Sequence, residues 1–383
     1  MSFHRRSVFL SLLCFASMGI QSISKATIGD NFLIPTPHPK DNAFDIGRGV
    51  LYISNWNSTS VARYDVRNRA WLTPMQMNQP SYGVNGIDIT PDGRWLYAAS
   101  PLPDPTNFTG YIGKFDLQTG VDQGFTYGDG GAYDGGAYDL KMTNNGKAFF
   151  TSSNVGFLRQ IDLATDNVST RPDAPGSWPG GWLRDRAGLF PSGDRNTMFV
   201  WEGNISSGPG FVYNAINDSF GPPRNLNTSW TAGASVNRNG TLISTPVSQL
   251  PFPPLVIRDG SLNVVRQLAS YPGAKFDSIR DRLYVLNEST ARIEAFDTNT
   301  WGSLFSFPVG EPINDCRFFQ EGFMTTSSDG QYLMLNTDSG IRVYTIPEPH
   351  TAIFISVGVL LLLRRRSGRR VIDRSQRSNL YSV

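Results

Sequence analysis

The sequence predicts an all-β fold, a seven-bladed β-propeller, on three observations. Short β-rich runs recur along it: VLYIS (50–54), WLYAAS (95–100), AFFTSS (148–153), TMFVWE (197–202), TLISTP (241–246), RLYVLN (282–287) and QYLMLN (331–336), mostly 41 to 53 residues apart. Most follow a tight-turn signal, namely TPDGR, TNNGK, PSGDR, NRNGT or SSDGQ. Asp-Gly and Asn-Gly between alternating apolar runs favour hairpins because those turns need positive φ. The composition agrees: 17% charged residues with 38 Gly and 25 Pro suits a turn-rich β protein better than a helical or disordered one.

Taken in order, the chain opens with MSFHRRSVFLSLLCFASMGIQSISKA, which has Arg5 and Arg6, an apolar run over 8–20, and small residues at Ser24 and Ala26. That pattern reads as a secretory signal peptide over 1–26, cleaved after Ala26. Cys14 leaves with it, so Cys316 is the single remaining cysteine and the mature chain has no internal disulfide. The body, 27–346, pairs each β-rich run with a second one: VARYDV, IGKFDL, LRQIDL, GFVYNA, LVIRDG, RIEAFD and IRVYTI. Many of these turn through Asp, Asn, Thr or Gly into a weaker outer strand. Four antiparallel strands at this period make propeller blades, whose radial packing buries each sheet on both faces. After IRVYTI the chain runs into Pro347, which leaves the last blade without a fourth strand. The spare extended segment NFLIPTP (31–37) is expected to fill that place and close the ring. The stretch 313–320 fits poorly, so the inner strand of the seventh blade is open at this level.

The copy ITPDGRWLYAAS…GKFDLQTG resembles the YVTN-type repeat of surface-layer and lactonase-like propellers, over roughly residues 41–346, although no copy holds the literal Tyr-Val-Thr-Asn. The resemblance speaks to fold more than to function. Lactonase-like relatives place polar and charged groups around the central channel, often a His or a metal-bound carboxylate. Here His38 sits alone in the Pro-rich PTPHPK, and the body's glutamates are Glu202, Glu288, Glu294, Glu311 and Glu321. Asp88, in NGIDITPDG, is the carboxylate expected nearest the channel, with a structural role as its ordinary reading.

The chain closes with IPEPHTAIFISVGVLLLLRRRSGRR. Residues 351–363 carry no charge but are fewer than the roughly 20 apolar residues of a full helical span. Arg364, Arg365 and Arg366 follow and read as a stop-transfer cluster, with 367–383 a basic cytoplasmic tail. The arrangement of Pro347-Glu348-Pro349, a short apolar helix and an arginine cluster resembles the PEP-CTERM sorting signal over 347–366. That resemblance implies a Gram-negative inner-membrane precursor cut near the motif by an exosortase. The product is then released or passed to the cell surface, commonly alongside exopolysaccharide. Seventeen residues follow Arg366, more than the family usually has.

The overall charge of +2 is a product of the two ends: they hold ten basic residues and one acidic residue, leaving −7 for 27–363. Such a body is a poor partner for nucleic acid. In a four-stranded blade the first and third turns share one face of the disc, and here they are short. The middle turns and blade connectors share the other face and are long: MQMNQPSYG, PLPDPTNFTG, YGDGGAYDGG, RPDAPGSWPGG, GNISSGPG and VSQLPFPP. Function tends to occupy loops held by a rigid scaffold, so this connector face is the candidate binding face. One connector brings Asp129, Tyr133, Asp134 and Tyr138, with Asp139 just beyond, and its neighbour brings Trp178 and Trp182. Three readings stand: rings and carboxylates that hold a sugar, a Ca2+ loop using Asp129, Asp134 and Asp139, or connectors whose aromatics pack on the disc. No other cofactor is implied. The leading expectation is a non-catalytic surface or matrix propeller that binds exopolysaccharide or surface proteins. A secreted hydrolase using Asp, Glu or a metal in the channel is the second, and a purely structural envelope component the third. Eight Asn-x-Ser/Thr sequons between Asn57 and Asn287 would matter only in a eukaryotic secretory pathway.

Overall fold

The structure, a computed structural model, describes residues 29–37, 39–79, 83–101, 109–128, 135–205, 208–226, 233–246, 254–270, 273–311 and 323–346. These residues form seven antiparallel sheets. Blades 1 to 6 are meanders of consecutive strands, with inner strands Pro39–Asp45, Ile87–Ile89, Ala137–Met142, Gly188–Pro191, Ser235–Val236 and Gly273–Phe276. Blade 4 has an additional two-residue strand, Arg224–Asn225, beside its third strand Pro209–Asn214. Blade 7 takes three strands from the end of the body, beginning with Met324–Thr326, and its outer strand from the beginning, Asn31–Pro35.

The ring is therefore closed by the N-terminal strand, as NFLIPTP suggested. Asn31–Pro35 runs antiparallel to Gly340–Thr345, with Asn31 opposite Tyr344 and Pro35 opposite Gly340. Ile34 is fully buried there. The inner strand left open by the sequence is Met324–Thr326, after the poorly fitting stretch; 313–320 itself lies outside the described residues.

The strands inside each blade are apolar on both sides because each blade lies between two others. In the second strand of blade 1, Val50 and Tyr52 join the cluster shared with blade 2, whereas Leu51 and Ile53 join the one shared with blade 7. Blade 3 divides the same way: Phe149 packs toward blade 4, and Ala148 and Phe150 toward blade 2. Side chains of a strand alternate between its faces, so one short run supplies both interfaces. The outer strands lose this pattern and are largely exposed, as in Ala70–Gln76 and Ser303–Pro308.

The turns follow their residues. Gly93, Gly146, Gly240 and Gly330 adopt positive φ at the Asp-Gly and Asn-Gly positions. In the third turns an Asp ends the strand and accepts amide hydrogens a few residues on. Asp116 takes those of Gln118 and Thr119, Asp162 those of Ala164 and Thr165, and Asp297 those of Asn299 and Thr300. Hydrogen bonds of this kind hold the three carboxyls below the usual aspartate range.

The expected leader with Ala26, His38, the sorting motif Pro347-Glu348-Pro349, the apolar segment 351–363 and Arg364, Arg365 and Arg366 lie outside the described residues. Among the described residues no helix is long and apolar enough to cross a membrane.

Truncating the closing strand's anchor tests the ring. Ile34→Ala removes a fully buried side chain and should cost about 3 kcal/mol, read as a lower midpoint in urea denaturation. An unchanged midpoint would mean that this strand contributes nothing to closure.

Candidate functional site

Around the central channel, three inner strands place an aspartate where its carboxylate reaches the next blade. Asp41 Oδ2 accepts from Ile87 N–H (2.9 Å), Asp88 Oδ2 from Met142 N–H (2.9 Å), and Asp139 Oδ2 from Leu189 N–H (2.7 Å). In each case the other oxygen accepts from the following residue of the same strand, Asn42, Ile89 or Leu140. Blade 5 does the same with a hydroxyl, Ser235 Oγ accepting from Phe276 N–H (2.9 Å). At the closure, Thr325 Oγ1 bonds Asn42 Oδ1. These groups latch successive blades together.

The buried carboxylates need counter-charge. Lys141, two residues after Asp139, donates to the Asp41 carboxylate and to the Ile87 carbonyl (3.0 Å), and lies 3.7 Å from Asp139. Burial opposes its charge, but Asp41, Asp139 and Asp88 outweigh burial and hold the ammonium well above the usual lysine range. Asp88 is met from blade 4 by Arg195, whose two terminal nitrogens each lie 2.9 Å from one carboxylate oxygen. Such a bidentate pair fixes geometry as well as charge.

Arg195 occupies the left-handed position that glycine holds in other copies, with φ 59° in SGDR against TPDG and SSDG. A non-glycine residue there is strained, and strain of this kind collects where a side chain has a task. The task here is the clamp on Asp88, in a blade that is not a sequence neighbour. Sequence reasoning missed Arg195, although the departure from Gly in one copy was the available signal.

Lys275, on the inner strand of blade 6, lines the same channel. Burial first, and then the positive charge of Lys141, pull its ammonium down to about 8 against the opposing pull of Asp41 and Asp88. Two cavities meet at this end. One of about 160 Å3 is bounded by the inner strands and by Ser192, Ser278 and Ser328 of the short first turns. The other, of about 700 Å3, extends over the first turns of blades 1 and 2 and shares Arg195 and Ser328 with it. They open on the short-turn face, opposite the long connectors.

On the connector face, the anticipated residues separate. Asp129, Tyr133 and Asp134 lie outside the described residues. Tyr138 and Asp139 are buried on the inner strand of blade 3 rather than displayed on the loop. The Tyr138 hydroxyl accepts from Lys40 Nζ (2.7 Å), and Asp139 forms the latch to blade 4. The strand resumes at Ala137, earlier than its Gly-rich approach suggests, and draws both side chains inward.

Trp178 and Trp182 do come together. Trp178 N–H donates to the Trp182 carbonyl (3.0 Å) across a tight turn in which Gly180 and Gly181 both adopt positive φ. Trp182 packs edge-on against Phe157, with ring centres 5.2 Å apart, whereas Trp178 is 43% exposed. The Arg184 guanidinium lies 5.0 Å from the Trp178 ring centre. The turn is tied down by Glu202, fully buried, which accepts from Ser177 N–H (2.9 Å), Ser177 Oγ (2.6 Å) and Arg184 N–H (2.9 Å). Burial raises the Glu202 carboxyl above its ordinary range despite these bonds. Among the described residues no three His, Cys, Asp or Glu side chains gather as a metal site.

No family model and no curated protein matches the sequence. Solved structures share the fold. A chain of Kuenenia stuttgartiensis hydrazine synthase aligns with TM-score 0.58 at 14% identity, over 85% of this chain and 99% of that one. A chain of a mitotic checkpoint complex aligns with TM-score 0.61 at 10% identity, over 86% and 94% respectively. At such identities the likeness establishes the propeller architecture and carries no activity across.

Asp139→Ala should destabilise the protein by about 3 kcal/mol, because it leaves the Leu189 amide without its charged acceptor inside the disc. Chemical denaturation measures this; a loss under about 1 kcal/mol would show that the latch is dispensable.

Proposed function

We propose that this chain is an exported propeller that acts as a non-catalytic binding module, presenting its connector face to an extracellular polysaccharide. The observation that carries the reading is Trp178: an exposed aromatic ring, backed by Arg184, on a connector anchored by the buried Glu202. A rigidly held ring offers a flat apolar surface to a sugar at little conformational cost, and exposed aromatics on fixed loops are otherwise unfavourable. The channel acids that a hydrolase would use, Asp41, Asp88 and Asp139, each accept two backbone amides. This favours binding over hydrolysis. The tail supports delivery outside the cytoplasm: an exosortase would read Pro347-Glu348-Pro349 while 351–363 and Arg364, Arg365 and Arg366 hold the precursor in the inner membrane. Ca2+ on Asp129 and Asp134 is a further element of the proposal, with Asp139 excluded by its latch.

Trp178→Ala should abolish retention on an affinity gel of the host's own polysaccharide while leaving the melting temperature unchanged. Undiminished retention would defeat the sugar reading. Trp182→Ala is the poorer test, since Trp182 packs on Phe157 and its loss also loosens the connector.

Delivery is checked by intact mass and fractionation in the native host. Loss of the segment after Pro349, only when the exosortase is present, is the expected result. A full-length chain held in the inner membrane in both strains would make this an anchored periplasmic propeller instead.

A further inference from the structure

We propose that the channel mouth on the short-turn face is a second binding site, for a small monocarboxylate whose carboxylate pairs with Lys275 Nζ. The site is on the opposite side of the disc from Trp178 and does not depend on polysaccharide binding there.

The charges lining the smaller cavity are two carboxylates, Asp41 and Asp88, and three cations, Lys141, Arg195 and Lys275. Lys141 is matched by Asp41 and Arg195 by Asp88, at hydrogen-bonding distance in both cases. Lys275 has no hydrogen-bond or carboxylate partner among the described residues. Asp139 is a third carboxylate near these cations, 3.7 Å from Lys141, but its oxygens already accept from the Leu140 and Leu189 amides. Lys275 is thus a cation without a hydrogen-bonded partner in a confined, partly apolar space, and such a placement is costly. Burial, and after it the charge of Lys141, brings this ammonium down to about 8. A bound carboxylate supplies the hydrogen-bonded partner that Lys275 lacks.

Size and lining define the rest of the ligand. A cavity near 150 Å3 admits a molecule about as large as benzene, and this one is about 160 Å3. Its walls include Ile87, Ile89, Phe190, Val236 and Phe276, so a short apolar body suits the interior. The adjoining basin of about 700 Å3, with Arg48, Arg94 and Gln118, leaves room for a polar extension. Lys141 and Arg195 cannot take the anion without giving up the acids they neutralise. That makes Lys275 the determinant.

The test is calorimetric titration of the purified full-length chain with acetate, butyrate and benzoate, alongside neutral benzamide and inorganic phosphate. Saturable binding of at least one carboxylate is expected, with benzamide at least about tenfold weaker than benzoate. Lys275→Met should lower carboxylate affinity at least about tenfold, and Lys275→Arg should retain it within about threefold. Between pH 7 and pH 9 the wild-type affinity should fall about tenfold as Lys275 loses its proton. The charged groups around Lys275 are Asp41 and Asp88 from blades 1 and 2, Lys141 with Asp139 from blade 3, and Arg195 from blade 4, and the Lys141 ammonium is held well above the usual lysine range. If Lys275→Met does not fold, the wild-type pH profile decides alone, and a flat profile overturns the proposal. So does absence of saturation by all three carboxylates, unchanged binding by Lys275→Met, or phosphate binding more tightly than any carboxylate.

Discussion

The inner strand of each blade has a free edge facing a narrow channel, and its amides must find partners there. Buried backbone groups left unpaired cost as much as a lost hydrogen bond, and an open edge invites pairing with other chains. In blades 1 to 3 an aspartate solves both problems by accepting an amide of the adjacent blade. The rest of the channel follows. Carboxylates placed for the backbone bring negative charge into a confined space, which calls for Lys141 and Arg195. Arg195 in turn is worth a left-handed backbone conformation that its sister turns reserve for glycine. Polar chemistry at the centre of the disc is thus a consequence of sheet edges, before any ligand is considered.

The interfaces between blades impose the second constraint. Every blade except at its outer strand must be apolar on both faces, and the clusters that result are each drawn from two neighbours. No blade owns a core. Stability is shared around the ring, so the connectors on one face can lengthen without disturbing the packing. The Trp178 connector shows the limit of that freedom: it is long, but Glu202 fastens it from within blade 4.

Much of this architecture was legible in the residues. The seven-fold recurrence, the Asp-Gly and Asn-Gly turns and the missing fourth strand before Pro347 are local signals, and local signals survive in a linear reading. The closing strand could be inferred because one vacancy and one spare segment matched. The channel was less legible, because its neighbours are brought together by a ring closure that no local pattern records. Asp88 could be placed near the centre, but Arg195 and Lys275 look like ordinary turn and strand residues. The Gly-rich approach places Tyr138 on the connector and Asp139 just beyond it on the ligand face, whereas the strand begins at Ala137 and buries both. Blades 1 and 6 share another pattern that went unread, Phe-Asp-x-x-Arg-x-x-Leu-Tyr at 44–52 and 276–284. Arg48 and Arg280 each use it to reach the carbonyl of a turn glycine in the next blade, Gly93 or Gly330.

The closing strand also sets an order of events. Asn31 and Arg342 are hydrogen-bonded although 311 positions apart, so the first strand made is among the last to be paired. Contacts so distant in sequence form late, after the intervening chain has been collected. Until the last blade is made, the strand around Ile34 has no partner; once Gly340–Thr345 emerges, the two are complementary surfaces awaiting each other. At high local density of nascent chains the strand from one copy fits the vacancy in another equally well. Fidelity of closure is then a competition between a loop closing within one molecule and an encounter between two, won by the intramolecular partner only while chains are sparse.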